Sequence, residues 1–185
     1  RHPTSLQVTF DPAFASPDVS TIDEIACRET ASLMRRALVP VSSEVSEDGQ
    51  VGISYVHWPA EGRKKSSLPL VLIHGFDSSC LEYRRLGSKL ASKGIDVYAV
   101  DLLGWGYTQL DNVASFSASA KVQALESWAN QVLKGKPFAV AGASLGGASA
   151  IEVASANPET IQGLILIDAQ GFVDGVGPMA MLPMP

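Results

Sequence analysis

The sequence predicts an α/β domain with a mostly parallel sheet and helices on both faces of that sheet. From residue 69 onward, short apolar runs alternate with amphipathic helical segments, and this order requires right-handed crossovers between parallel strands. The apolar runs lack the polar alternation of a half-exposed strand, which is typical of strands buried between two layers of helices. An apolar content of 46% over 185 residues is enough for one domain with a hydrophobic core.

The first elements lie before this alternating region. Residues 1–20 carry three prolines and little periodicity, so we expect an extended or disordered arm. A helix is predicted to begin at Thr21, because the stretch from Thr21 to Glu24 has the form of a capping box and apolar residues then recur at helical spacing. Pro40 is expected to end this helix.

A hairpin and the alternating elements follow. Two β-prone segments, 41–45 and 51–58, flank the turn signal Asp48-Gly49 and predict an antiparallel pair of strands. Gly94 and Gly135 each stand where a predicted helix stops. The remaining elements are predicted in this order: strand 70–73, helix 81–93, strand 95–100, helix 117–134, strand 138–141, helix 145–156 and strand 161–167.

Composition and charge argue against several classes of partner. The net charge of −5 comes from scattered residues, and Arg63-Lys64-Lys65 is the only dense basic cluster, so no nucleic-acid partner is expected. Cys27 and Cys80 fit no metal or redox spacing and are interpreted as reduced thiols. No apolar run approaches the roughly 20 residues of a membrane span, and no signal peptide is recognisable. We therefore expect a soluble protein of the cytoplasm or of an organelle, a plastid included.

The stretch FAVAGASLGGASA, residues 138–150, places Ser144 between Gly142 and Gly146. A serine at the junction of a short buried strand and a helix predicts a nucleophile elbow, a turn so sharp that side chains at the flanking glycines would collide with the strand and the helix. The alternative is that Ser144 only caps the helix. The elbow interpretation makes Ser144 the candidate nucleophile.

A second motif, LVLIHGF, predicts an oxyanion hole. Gly75 directly follows a buried strand and is expected to permit a backbone turn that other residues resist. That turn would direct the N–H of Phe76 to the carboxyl edge of the sheet, where the N–H of Leu145 would be the second donor to a tetrahedral intermediate. His74 lies within this loop, and we expect it to hydrogen-bond the loop backbone rather than to abstract protons.

Taken together, four motifs in sequence order resemble the α/β-hydrolase superfamily over roughly residues 41–172. They are IHGF after the third strand, VDLLGWGYT after the fourth, GASLGG at the elbow and LILIDAQG at the sixth strand. The resemblance implies a serine-nucleophile, esterase-like or lipase-like enzyme and makes Asp101 a structural residue that anchors a loop. It also implies that residues 21–172 are the N-terminal part of an α/β-hydrolase core lacking its last two strands, and that 173–185 begin a cap or form a truncated tail.

The candidate nucleophile has no obvious base. A serine hydroxyl needs a base within hydrogen-bond reach, and in the family the order is nucleophile, then acid, then histidine. All histidines of this sequence precede Ser144: they are His2, His57 and His74. Asp168, at the end of the sixth strand, is a candidate for the triad acid.

Three explanations of the missing base are open. The favoured one is that the sequence is a fragment of a longer hydrolase, since a sheet ending at the apolar strand Leu164–Ile167 would expose an aggregation-prone edge. The others are a short natural isoform that binds a ligand or partner without turnover, and an improvised base at His74 or His57. The chain by itself is then expected to show no appreciable turnover.

The predicted reaction of the complete protein is acyl transfer to water, with a small or lipophilic ester as the leading substrate class. This chemistry requires neither a cofactor nor a metal, and the sequence predicts no oligomeric state. Carbon–carbon bond hydrolases and cofactor-free haloperoxidases resemble this pattern and stay open. A non-catalytic protein that binds a ligand or a partner is the rival class, and a purely structural module is the third.

Overall fold

The structure is a computed structural model that describes residues 8–170, and in this range it contains a six-stranded sheet with helices packed on both faces. The strands are β1 (Arg35–Pro40), β2 (Gln50–Trp58), β3 (Leu70–Ile73), β4 (Val97–Val100), β5 (Phe138–Ala143) and β6 (Ile161–Ile167). The helices are α1 (Ile25–Leu33), α2 (Arg84–Ala91), α3 (Ala118–Val132) and α4 (Leu145–Ala156), with a 3-10 helix (Cys80–Tyr83) directly before α2.

The strand order is β1-β2-β4-β3-β5-β6, in which β4, β3, β5 and β6 are parallel and β1 and β2 are antiparallel. The α/β fold class predicted from the sequence is therefore confirmed. The register pairs Ile73 at the end of β3 with both Val100 of β4 and Gly142 of β5. The carboxyl ends of these three strands consequently lie along one edge of the sheet, where open α/β sheets bind their ligands.

Two hydrophobic cores lie on opposite faces of the sheet. Along β3 the side chains alternate between them, with Val71 and Ile73 in the core under α3 and α4, and Leu70 and Leu72 in the core under α1 and α2. All four side chains are buried, as expected for a parallel strand covered on both faces. The largest fully buried side chain, Trp128 of α3, fills the first core.

The first predicted helix is wrong at both ends. It begins at Ile25, after an N-cap residue that makes no side-chain cap bond, and it ends at Leu33. Residues 35–40, predicted as helix, form β1 and pair along their whole length with β2. The pairing buries Ala37 and Val39, so a tertiary contact overrides the local helical pattern.

The hairpin is real, but its first strand lies earlier than predicted. Residues 41–45, predicted as a strand, belong instead to the connection between β1 and β2. The turn signal is correct, because Gly49 adopts a positive φ of 67° immediately before β2.

Two further predicted segments lie before and after this core in the sequence. Residues 8–14, in the predicted arm, run along β1: Phe10 bridges to Ala37, and Arg36 pairs with Asp11 at 2.7 Å. The predicted cap start or tail, 173–185, lies outside the described residues.

The strand β6 forms the other edge of the described sheet. Its last four side chains are apolar and 42–49% exposed; they are Leu164, Ile165, Leu166 and Ile167. Across the described residues, none of the helices has the length and apolarity that crossing a bilayer demands.

Candidate active site

Ser144 occupies a strained turn between β5 and α4. Its backbone has φ 49° and ψ −116°, which for a non-glycine residue costs about 1–3 kcal/mol and persists only where the surroundings impose it. Backbone hydrogen bonds hold this conformation. Ser144 N–H donates to Ile167 O at 3.2 Å, and the Ser144 carbonyl accepts from the N–H groups of Gly147 and Gln170, both at 2.9 Å. The side chain is exposed and makes no cap bond to α4, so the capping alternative has no hydrogen bond behind it.

The residues around this turn have no room for side chains. A Cβ on Gly142 would overlap the carbonyl of Gly146, and a Cβ on Gly146 would overlap the carbonyls of Ile73 and His74. These overlaps involve backbone atoms, which cannot rotate away as a side chain can. The close approach of β5, α4 and the loop after β3 therefore depends on glycine at both positions.

The predicted oxyanion loop lies beside the serine. A Cβ built on Gly75 would lie 3.5 Å from Ser144 Cβ. Among the described residues, neither the N–H of Phe76 nor the N–H of Leu145 has an acceptor, so both remain available to a negatively charged oxygen. The reason expected for Gly75 is wrong, however, because the positive φ in this loop belongs to Asp77 (52°). Glycine at position 75 instead leaves the space beside the serine open.

His74 is fully buried and both of its ring nitrogens are engaged. Nε2 accepts the N–H of Leu102 at 3.1 Å, so the proton sits on Nδ1, which donates to Gly75 O at 2.7 Å. A histidine held in this way has no free nitrogen to accept a proton from Ser144. Because Gly75 C=O and Phe76 N–H belong to one planar peptide, the His74 bond also orients the candidate oxyanion donor.

Asp101 ties three segments together below the site. Its carboxylate is 1% exposed and accepts from Ser54 Oγ at 2.5 Å, from Cys80 N–H at 2.5 Å and from Tyr107 N–H at 2.9 Å. This geometry fits the loop-anchoring role that the resemblance implies. Burial, and then the neighbouring Asp101 carboxylate, raises the pKa of the Cys80 thiol well above its usual value.

The other candidate base, His57, lies away from the serine. It is held by Asp96 at 2.8 Å and stacks on the ring of Tyr98, with the ring centroids 4.1 Å apart. Three strand spacings separate β2 from β5, which is about 14 Å at ~4.8 Å per spacing. The improvised-base explanation therefore has no geometric support from either histidine in the described region.

Asp168, the candidate acid, directly follows β6 and shares the sheet edge with Ser144. It is exposed, has a φ of 45° and makes no hydrogen bond within the described residues.

The structure also shows contacts that the sequence did not predict. The ring of Phe76 is 52% exposed and packs edge-on against Trp105, with centroids 4.7 Å apart, so an apolar wall stands beside the loop that follows β3. The hydroxyl of Tyr83 donates to Ile73 O at 2.8 Å. No local sequence signal identifies either contact, because the partners come from different elements.

Comparison with known proteins agrees with this fold. Residues 64–176 match the family described as serine aminopeptidase, S33. The alpha/beta hydrolase domain-containing protein VTE7 of Arabidopsis thaliana is 32% identical over 173 residues, which cover 93% of this chain and 51% of that protein. Lipase 3 of Moraxella sp. strain TA144 is 32% identical over 117 residues, 61% of this chain and 35% of the lipase.

Among solved structures, a Pseudomonas aeruginosa PAO1 protein superposes with a TM-score of 0.66 at 18% identity, over 92% of this chain and 48% of that one, which is a likeness of fold alone. The fold and the family match together define an α/β hydrolase. The chain belongs to the serine aminopeptidase, S33, family. It spans about half the length of VTE7 and about a third of the length of Lipase 3.

Proposed function

We propose that the whole protein is a serine hydrolase of carboxylic esters and that Ser144 is its nucleophile. The observation that carries the proposal is the strained, exposed Ser144 beside two backbone N–H groups without acceptors, those of Phe76 and Leu145. A strained backbone at an exposed serine has no structural benefit of its own, and such strain is concentrated at functional sites. The apolar wall of Phe76 and Trp105 favours a lipophilic ester, in keeping with the name of Lipase 3.

In the proposed reaction, Ser144 Oγ attacks the ester carbonyl carbon while its proton passes to a base. The carbonyl oxygen becomes an oxyanion that accepts hydrogen bonds from Phe76 N–H and Leu145 N–H. Collapse expels the alcohol, which takes up the proton, and leaves an acyl-serine that water then hydrolyses by the same steps. Both proposed donors are backbone N–H groups without acceptors among the described residues, which supports a hole that needs little reorganisation when the charge develops.

The base is proposed to come from a part of the protein outside these 185 residues. His57 is too far from Ser144, and both nitrogens of His74 are engaged in the loop. Both matched relatives are nearly twice as long as this chain, which leaves room for such a residue. Asp168 is kept as the candidate acid, because it follows β6 at the edge where Ser144 lies.

A fluorophosphonate probe and a p-nitrophenyl ester series on the whole protein test this proposal. Ser144→Ala is expected to abolish labelling and to lower turnover by at least about 10³-fold, whereas Ser127→Ala, a half-buried serine on α3, leaves both unchanged. In the same assay, Asp168→Asn is expected to lower kcat by at least about 10²-fold if Asp168 is the acid. The 185-residue chain alone is expected to show no appreciable turnover.

The rival function is a hydrolase-like protein that binds a ligand or partner without turnover. The observation in its favour is that neither histidine in the described region lies where it could activate Ser144. A folded whole protein that neither reacts with the probe nor hydrolyses any ester would establish this rival and refute the enzyme.

A further inference from the structure

The 3-10 helix reaches the oxyanion loop through the hydroxyl of Tyr83. That hydroxyl donates to Ile73 O at 2.8 Å, and the bond is buried. Ile73 is the last residue of β3, so its carbonyl belongs to the peptide that leads into the loop carrying Phe76. The bond therefore fixes the point at which the oxyanion loop leaves the sheet.

The same carbonyl lies against the first turn of α4. A Cβ on Gly146 would overlap both Ile73 O and His74 O, which shows how closely this turn approaches the start of the loop. Gly146 directly follows Leu145, the second oxyanion donor. The Ile73 carbonyl is thus held between the Tyr83 hydroxyl on one side and the elbow helix on the other.

The 3-10 helix is itself anchored at two further points. Cys80 N–H donates to the buried Asp101 carboxylate at 2.5 Å, and the Glu82 carboxylate accepts Gly75 N–H at a longer 3.4 Å. The helix has four residues and bonds both the loop after β3 and Asp101, which directly follows β4. A shift of this helix would therefore break one of these bonds.

We propose that Tyr83 is a positioning residue that sets the separation of the two oxyanion donors, Phe76 N–H and Leu145 N–H. The inference rests on the proposed ester hydrolysis at Ser144. Tyr83 touches no reacting atom: its hydroxyl holds the Ile73 carbonyl at the point where the chain leaves β3, close to the first turn of α4. An oxyanion hole loses much of its effect when a donor is misplaced.

The test is Tyr83→Phe, which keeps the ring and removes only the hydroxyl. Tyr55→Phe is the matched control, because Tyr55 is equally buried at 5% exposure but its hydroxyl makes no hydrogen bond within the described residues and its ring lies in the other core. Both variants of the whole protein are assayed for kcat and KM on one ester and on its thionoester, in which sulfur replaces the carbonyl oxygen and accepts hydrogen bonds poorly.

Tyr83→Phe is expected to lower kcat on the oxygen ester about tenfold with KM within about twofold, and to lower the ratio of kcat/KM between ester and thionoester by a similar factor. The control leaves that ratio unchanged. A merely structural role would lower the melting temperature and both activities together without moving the ratio, and that result overturns the inference alone. A wild-type protein without ester turnover would overturn the proposed function, and this inference with it.

Discussion

Replacing Asp101 by asparagine tests how far one buried carboxylate holds the loops of the sheet edge together. Asp101 accepts three hydrogen bonds, from the Ser54 hydroxyl and from the N–H groups of Cys80 and Tyr107. Asparagine keeps the size of the side chain but has one acceptor oxygen and an amide group that only donates. In either orientation of the amide, one backbone N–H faces another donor, while the serine hydroxyl can rotate to adapt.

The magnitude follows from these contacts. A buried N–H without an acceptor costs about 1–3 kcal/mol, and each remaining bond loses the charge assistance of the carboxylate, about 1 kcal/mol apiece. Burying a neutral amide instead of an ion recovers part of this, about 1 kcal/mol by order of magnitude. The expected net loss in the free energy of unfolding is therefore about 2–4 kcal/mol, a large share of a typical total of about 5–15 kcal/mol.

The assay is urea unfolding of the whole protein, with Ser54→Ala as the control. Ser54→Ala removes one charge-assisted bond and is expected to cost about 1.5 kcal/mol, at the low end for a bond to an ion, because no backbone group is left unpaired by it. Asp101→Asn should shift the unfolding midpoint clearly further at an unchanged slope. A shift no larger than that of Ser54→Ala would refute the view that the carboxylate bridges three segments.

Two further predictions concern the elbow glycines and the buried thiol. Gly146→Ala should lose about 1–3 kcal/mol of stability, because its Cβ overlaps backbone carbonyls. Gly75→Ala should melt within about 2 °C of the wild type but lower ester turnover, because its methyl lies 3.5 Å from Ser144 Cβ. Equal melting temperatures for the two variants would contradict this prediction. The raised pKa of Cys80 keeps its thiol protonated and inert to a disulfide reagent at pH 8 until the protein unfolds. Because the pKa of this thiol is higher in the folded state than in the unfolded state, its contribution to stability is complete below pH 9.0 and declines above it by up to about 1.4 kcal/mol per pH unit. Cys80→Ala should flatten that alkaline decline in urea-unfolding measurements, and an unchanged pH slope would count against the argument.

Elements whose signal is local were predicted within a residue or two. The strands Leu70–Ile73 and Ile161–Ile167 and the helix Leu145–Ala156 have the predicted bounds, because apolar runs, glycines and helical spacing mark their ends in the sequence itself. By contrast, Arg35–Pro40 has a local pattern compatible with a helix and becomes a strand only through its pairing with β2.

The candidate site divides in the same way. The elbow around Ser144 can be recognised from a few consecutive residues, because its strained turn demands small neighbours within two positions. The roles of His74 and Tyr83 depend on partners that are not neighbours in the chain: Leu102 is 28 residues from His74, and Ile73 is ten residues from Tyr83.

The sequence by itself determined the alternation of strands and helices and the chemical type of the candidate nucleophile, since both depend on the order of nearby residues. Only the tertiary structure decided which histidine nitrogens are occupied, that Gly75 lies against Ser144 without a left-handed backbone, and that the Tyr83 hydroxyl bonds the carbonyl at the end of β3. These features arise from distances between segments that meet only when the sheet is assembled, and no local pattern of residues encodes such distances.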